Sequence, residues 1–153
     1  MKLVSTYGIG SKINLLLAIS GDPLLAMRWW KMWRKGGTTL DRFADFMQVV
    51  LDDLAANPQT AGRTFTFTMD NLNVHKHPQI MNMISGAGHR LAFRAPYWPV
   101  DGAVEYVFNT IQTRLKSFVD QLTTMPDLEN RLSLIIGAIP NFTRYFVHVG
   151  FPP

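Results

Sequence analysis

A run of alternating threonine and phenylalanine constrains the fold of this chain more than any other feature. It extends from Thr64 to Met69 and is followed directly by Asp70 and Asn71. Side chains that alternate with a period of two are typical of a β-strand, so we expect a buried strand that presents a carboxylate at its C-terminal end. Glu105 follows after a proline-rich stretch, on a sequence with helical periodicity. Two carboxylates on a strand end and a helix have rigid supports and can hold a divalent cation.

The composition indicates a packed domain. The chain has 153 residues, of which 47% are hydrophobic and 17% are charged, which is unlike a disordered segment. Its formal net charge of +4 suits a polyanionic partner. It contains no cysteine, which excludes disulfides and thiolate zinc sites. No apolar run approaches the roughly 20 residues of a membrane-spanning helix, and no secretory cleavage site is clear. We therefore expect no membrane partner and no secretion, and a nuclear location in a eukaryote or a cytoplasmic one otherwise.

Periodicity along the chain predicts a mixed α/β domain with the order β-β-α-β-α-β-α. The predicted strands are residues 12–20, 24–35, 64–69 and 89–94. The predicted helices are residues 39–55, capped by Thr38 or Thr39, a short helix from Pro78, and residues 100–122 and 127–137. An aromatic segment, residues 141–151, ends the chain.

Several motifs in the same order resemble the catalytic domain of DDE transposases, of the mariner-like superfamily and its bacterial insertion-sequence relatives. The family carries an Asp-Asn pair at a strand end and a histidine a few residues on, as Asp70, Asn71 and His75 do here. It continues with a strand, a Pro-Tyr-x-Pro turn and a glutamate that opens a helix. In this chain these are Arg90–Arg94, Pro96-Tyr97-Trp98-Pro99 and Glu105. The resemblance covers most of the chain from about Gly10 to Lys116.

The resemblance implies a ribonuclease-H-like fold, with residues 1–125 as a partial endonuclease domain and residues 126–153 as a C-terminal helix and aromatic tail packed on it. It implies DNA as the partner, with metal-dependent hydrolysis at a transposon end and strand transfer by the freed 3′-hydroxyl. Asp70 and Glu105 would be the catalytic ligands of Mg²⁺ or Mn²⁺, and Asn71 and His75 would support them. Association into a homo-oligomer remains open.

The chain departs from the family pattern in two places. Gly102-Ala103-Val104 stands where the family usually has Asn-Pro-Ile before the glutamate, and Met1–Ser5 contains no acid. The family's first catalytic aspartate lies on a strand upstream of the segment that contains Leu15. We therefore expect a domain without its first strand and with an incomplete triad. Two alternatives follow: part of an enzyme whose upstream segment is absent here, or an inactive remnant that binds nucleic acid or protein.

Basic residues alternate with aromatic ones from Arg28 to Lys35, a pattern that can pair with phosphates and stack on bases. Charges on an edge strand also prevent edge-to-edge pairing. Arg114 and Lys116 lie on the predicted long helix, and a charged helix face is usually just solvated. The candidate DNA contacts are Arg28, Lys31, Arg34, Lys35, Arg114 and Lys116.

The carboxylates and histidines also have ordinary structural interpretations. Asp70 could cap the turn after its strand, and Glu105 could simply favour the helix dipole. His75 and His77 could form a metal site with Asp70, but a third firm ligand is lacking.

Overall fold

The computed structural model describes residues 2–5, 12–22, 24–94, 102–118, 122 and 124–151. These residues form five strands and five helices. The strands are β1 (Lys2–Ser5), β2 (Lys12–Ile19), β3 (Arg28–Trp33), β4 (Thr66–Met69) and β5 (Arg90–Phe93), and the helices are α1 (Leu40–Ala56), α2 (Pro78–Gly86), α3 (Ala103–Lys116), α4 (Met125–Gly137) and α5 (Thr143–His148).

The chain divides into two compact units. The first combines residues 1–36 and 100–153 and is called the meander unit. The second, residues 37–99, is called the parallel-strand unit. The expected mixed α/β class is confirmed, because each unit contains both strands and helices.

No helix in the described part of the chain is long and apolar enough to cross a bilayer. The Pro96–Pro99 turn lies outside the described residues.

The meander unit contains a three-stranded antiparallel sheet in the order β1-β2-β3. Val4 pairs with Ile13 across β1 and β2, and Leu17 pairs with Trp30 across β2 and β3. The expectation that no strand precedes β2 is therefore wrong. The sequence contains little sign of β1, because Lys2–Ser5 is only four residues long and too short for a clear period.

Alternate residues of β2 point into the core of the meander unit. Ile13 and Leu15 are fully buried there, and Trp30 and Met32 of β3 pack against the same cluster. Helix α3 supplies the opposite surface through its predicted apolar stripe, in which Val107, Phe108, Ile111 and Leu115 are buried. Helices α4 and α5 complete this core. The sheet is thereby held against α3, which also carries Glu105 in its first turn.

The parallel-strand unit begins with α1, and the sequence predicted this helix closely. The Thr39 side chain accepts a hydrogen bond from the Arg42 N–H, as an N-cap does. Apolar residues recur on one face, so that Phe43, Phe46, Met47 and Val50 are buried along with Ala44, Leu51 and Leu54.

Strands β4 and β5 form a separate parallel pair joined through α2. Met69 pairs with Phe93 at the C-terminal end of this pair. The expectation of a buried β4 needs correction, since its threonines are exposed while Phe67 and Met69 are half-buried. The alternation of threonine with phenylalanine gives β4 one polar face and one apolar face. Asp70 follows immediately at the C-terminal end.

Candidate functional site

Asp70 lies where β4 ends, and its carboxylate is held by two neighbours. The Nδ1 atom of His75 lies 2.7 Å from its Oδ1 atom. The Leu72 backbone N–H donates to the same oxygen over 3.3 Å, which is the turn chemistry expected for an aspartate at this position. The side chain of Asp70 remains 38% exposed. Its carboxylate is therefore fixed by the protein on one oxygen and still accessible from solvent.

His75 is buried behind this carboxylate, although the sequence around it is a polar turn. Only 8% of the residue is exposed, and its ring lies 4.6 Å, centroid to centroid, from the ring of Phe43 on α1. Its backbone N–H donates to the Leu72 carbonyl oxygen over 3.0 Å. The turn thus holds the backbone of His75, and its ring packs on α1.

Asn71 joins the ends of the two parallel strands. Its side-chain Nδ2 donates to the backbone carbonyl oxygen of Arg94, which follows β5. The Arg94 N–H in turn donates to the Met69 carbonyl oxygen over 2.9 Å. Because Asn71 follows Asp70 directly, this link anchors the segment that carries the carboxylate. Its expected supporting role stays a prediction, with this contact as its structural basis.

The hydrogen bond from His75 holds the pKa of the Asp70 carboxyl below its usual value. Partial burial acts in the opposite direction, and the Leu72 N–H adds to the lowering. A hydrogen bond to the charged form favours that form, so the carboxylate is ionised at neutral pH. An ionised, partly exposed carboxylate is a suitable hard oxygen ligand for Mg²⁺ or Mn²⁺.

Glu105 belongs to the other unit. It lies in the first turn of α3, is half-buried, and has a backbone N–H that donates to the Gly102 carbonyl oxygen over 2.8 Å. Gly102 is the N-cap residue and makes no side-chain cap. An acid in the first turn is favoured by the helix dipole. Asp70 and Glu105 are thus on a strand end and in a first helical turn, as the sequence predicts.

Within the described residues, no group of three or more His, Asp or Glu side chains forms a metal site. The alternative site built on His75 and His77 finds no support, since His77 is used as the N-cap of α2. Its side chain accepts a hydrogen bond from the Gln79 N–H at 3.3 Å. The metal-ligand role of Asp70 and Glu105 stays a prediction that rests on their oxygen chemistry.

Arg28 has a structural role within the meander unit. Its guanidinium donates to the carbonyl oxygens of Ile136 at 2.8 Å and Gly137 at 3.0 Å, and also to Ile139. It lies 4.9 Å from the centre of the Phe142 ring. Ile136 and Gly137 are the last residues of α4 and Ile139 follows it, so the cation satisfies carbonyl groups that lack helical partners. Most donors of Arg28 are therefore directed into the protein.

The other candidate DNA contacts differ in what surrounds them. Arg34 forms a two-pronged ion pair with Glu129 through bonds of 2.9 and 3.1 Å. Lys31, Lys35 and Lys116 are exposed, and Arg114 is half-buried. Arg114 and Lys116 lie in the last turn of α3, where cations also favour the helix dipole. Contact with DNA remains a prediction for this group.

Sequence reasoning missed Phe43 and Arg94 as neighbours of the candidate site. Phe43 belongs to the regular apolar face of α1, and this pattern gives no sign that one ring packs on His75. The backbone of Arg94 is involved through its carbonyl oxygen, so side-chain identity carries no signal. Both contacts depend on tertiary structure.

No family model matches the chain, and no curated protein matches it. Among solved structures, it is similar to a chain in the cryo-EM structure of the simian T-cell lymphotropic virus intasome in complex with PP2A regulatory subunit B56 gamma. The TM-score is 0.60 and the sequence identity is 15%. The chain has a fold like that of this intasome chain. The match covers 99% of this chain and 54% of the other, so the chain spans about half the length of that structural relative.

This likeness concerns the fold alone, because the identity is low. It is compatible with the mixed α/β class expected from sequence, and the ribonuclease-H-like assignment stays a prediction. It does not bear on the catalytic state of Asp70 or Glu105.

Proposed function

We propose that this chain is a domain of the DDE transposase and integrase type, with a ribonuclease-H-like fold, that binds DNA and has impaired cleavage activity. The observation that carries the proposal is Asp70 at the C-terminal end of β4, in a chain whose fold is similar to that of an intasome chain. The strand-end carboxylate, followed by Asn71 and His75, is the pattern by which the sequence resembles these enzymes.

The carboxylates of Asp70 and Glu105 would hold a divalent cation, Mg²⁺ or Mn²⁺. When bound, such cations stabilise charge on the attacking and leaving oxygens of a displacement at phosphorus. The chain contributes rigid supports for its ligands. The Asp70 carboxylate is fixed through His75 and the Leu72 N–H, and Glu105 lies in a helical turn whose next residues enter the core.

Impaired cleavage follows from the composition of β1. This strand precedes β2 in the antiparallel sheet. The ribonuclease-H-like fold that the resemblance implies carries its first acid on such a strand, yet Lys2–Ser5 contains no carboxylate. A site without one of its cation ligands loses affinity and geometry for the metal. This observation favours the second candidate function, a domain that retains DNA binding without phosphodiester chemistry.

Exposed lysines and the excess of positive charge support DNA as the partner. Lys31, Lys35 and Lys116 are exposed, and the net charge is +4. Lysines bind phosphates by releasing condensed counterions, so the affinity depends on salt but little on base sequence.

Fluorescence anisotropy with a labelled DNA duplex tests the binding. We expect the logarithm of the association constant to fall linearly with the logarithm of the salt concentration, with a slope of about −0.9 for each phosphate contact. Two duplexes of unrelated sequence should give similar affinities. Absence of binding to either duplex at low salt would overturn the proposal.

Nicking of supercoiled plasmid in Mg²⁺ or Mn²⁺ tests the cleavage. We expect little or no nicking by the wild-type chain, and no difference between it and Asp70→Asn. Metal-dependent nicking that disappears in Asp70→Asn would show an active enzyme and would contradict the impairment.

A further inference from the structure

The Nδ1 atom of His75 faces two hydrogen-bond acceptors. One is the Oδ1 atom of Asp70 at 2.7 Å, and the other is the backbone carbonyl oxygen of the same residue at 3.3 Å. Neither an ionised carboxylate nor a carbonyl can donate a hydrogen bond. The proton of the imidazole must therefore lie on Nδ1 for both contacts to be favourable.

The two oxygens of the Asp70 carboxylate are not equivalent. Oδ1 accepts from both His75 and the Leu72 N–H. Oδ2 accepts no hydrogen bond from the part of the chain that the structure describes, although the side chain is 38% exposed. One oxygen is thus used to orient the carboxylate, while the side chain as a whole remains partly exposed.

We propose that His75, with its proton on Nδ1, is a positioning residue that fixes Oδ1 of Asp70 and so presents Oδ2 as the single oxygen offered to a divalent cation. This inference rests on the proposed cation role of Asp70 and adds the atom and the residue that control it. Partners that orient metal ligands in this way are common around metal sites, and their loss typically costs about 10–100-fold in metal affinity.

The surroundings of His75 make it suitable for this role. Its ring packs on Phe43 of α1, and its backbone is tied to Leu72 within the same turn. Burial to 8% exposure restricts the ring to the orientation that these contacts allow. A rigid donor holds the carboxylate in one rotamer at little further entropic cost.

The tautomer can be measured in the metal-free protein by long-range ¹H–¹⁵N NMR of the imidazole. We expect His75 to show a protonated Nδ1 and an unprotonated Nε2 at pH values where the ring is neutral. Asp70→Asn keeps an oxygen in the side chain, whereas Asp70→Leu removes the acceptor. The Nδ1–H form should persist in the first variant and weaken in the second. A bare Nδ1 in the wild type would overturn the proposal.

The effect on the cation can be measured by electron paramagnetic resonance of free Mn²⁺ during titration. His75→Asn keeps an N–H donor near the position of Nδ1, whereas His75→Phe keeps the ring on Phe43 and removes the donor. We expect His75→Asn to bind Mn²⁺ within about threefold of the wild type and His75→Phe to bind about tenfold more weakly. Equal affinities of the wild type and His75→Phe would overturn the proposal, and so would equal weakening in both variants.

His77→Phe is the matched control, because His77 is a nearby exposed histidine that caps α2. Its Mn²⁺ affinity should equal that of the wild type. Failure of the wild type to bind Mn²⁺, with the Nδ1–H tautomer present, would refute the proposed cation role of Asp70 and leave His75 as the residue that orients Asp70. A bare Nδ1 with intact Mn²⁺ binding would refute only the role of His75.

Discussion

The two units use polar side chains for different purposes. In the meander unit, Arg28 is turned inward onto backbone carbonyls at the end of α4, and Asn14 is buried and donates to the Gly36 carbonyl oxygen over 3.0 Å. In the parallel-strand unit, Asp70 remains partly exposed at a strand end, and His75 supports it from behind. Polar side chains that could bind a ligand therefore stabilise the fold in one unit and form a candidate site in the other.

This contrast shows that a polar residue in a promising motif must be judged by its partners. The basic and aromatic run of β3 suggests nucleic-acid binding from sequence, yet its first arginine satisfies the C-terminal end of a helix more than 100 residues away. The aspartate after β4 suggests an ordinary turn cap, and it does accept the Leu72 N–H. It also forms a close pair with a buried histidine, which a turn cap does not require.

The largest expected effect is the loss of core packing in the meander unit. Leu132 of α4 is fully buried, so Leu132→Ala should lower the free energy of unfolding by about 2–5 kcal/mol through lost burial and a residual cavity. Urea denaturation measures this change. Leu134→Ala is the control, since this neighbour is 64% exposed and should change stability by less than about 0.5 kcal/mol. Similar losses in both variants would contradict the described orientation of α4.

The structural role of Arg28 gives the next largest effect. Arg28→Met keeps much of the side-chain length and removes every donor to the α4 carbonyls, so we expect a loss of about 1–3 kcal/mol in urea denaturation. Arg34→Met is matched in chemistry but breaks only an exposed ion pair with Glu129. That variant should lose much less stability, because solvent screens an exposed ion pair. An equal loss of stability for both arginines would contradict the distinction between inward-directed Arg28 and exposed Arg34.

The Asp70–His75 pair predicts a specific dependence of stability on pH. Because the pKa of Asp70 is lowered in the folded protein, the pair stabilises the fold above the carboxyl pKa of the unfolded chain, about 3.9. That stabilisation is lost as the pH falls through the lowered folded pKa. The advantage of the wild type over Asp70→Asn in urea denaturation should therefore shrink at acid pH.

His75→Phe provides the control for this pH effect. If the hydrogen bond from His75 is the main cause of the lowered pKa, the stability difference caused by Asp70→Asn should depend less on acid pH when His75 is replaced as well. A double-mutant cycle isolates this coupling. An unchanged acid dependence in the presence of His75→Phe would assign the lowered pKa to other groups.

The smallest expected effect concerns DNA contacts of the meander unit. Lys116 is exposed in the last turn of α3, so Lys116→Ala should weaken DNA binding about equally for unrelated sequences. The slope of the logarithm of affinity against the logarithm of salt should decrease in magnitude by about 1. Arg28→Lys, which alters an inward-facing residue, should leave the slope unchanged. An unchanged slope in Lys116→Ala would exclude this lysine as a phosphate contact.

Local signals in the sequence predicted most elements of the fold. A cap at Thr38 or Thr39 and the apolar period after it predict α1, whose cap is Thr39 in the structure, and Pro78 predicts the first residue of α2. The long helix was predicted to continue to about residue 122, because the apolar stripe includes Phe118 and Val119. Instead α3 ends at Lys116, and the Ser117 hydroxyl donates to the Arg114 carbonyl oxygen over 2.7 Å. The apolar period of the side chains does not reveal a serine hydroxyl that competes for a backbone carbonyl oxygen in this way.

The local neighbours of the candidate site are accessible from sequence, whereas its distant neighbours are not. The motif places His75 five residues after Asp70, and the structure brings their side chains into contact, while the function of both residues stays a prediction. The packing of Phe43 on His75 and the direction of Arg28 depend on contacts over long sequence separations. Such contacts are set by the whole packed unit, so neither periodicity nor spacing reveals them.

We propose above that Asp70 is a cation ligand at the end of β4. A crystal structure of the protein soaked in Mn²⁺, with anomalous scattering, tests it most directly. We predict a manganese peak within coordination distance of Oδ2 of Asp70, with Oδ1 still accepting the Nδ1–H of His75. No peak at Asp70 at saturating Mn²⁺, or a peak on Oδ1 with His75 displaced, would contradict it.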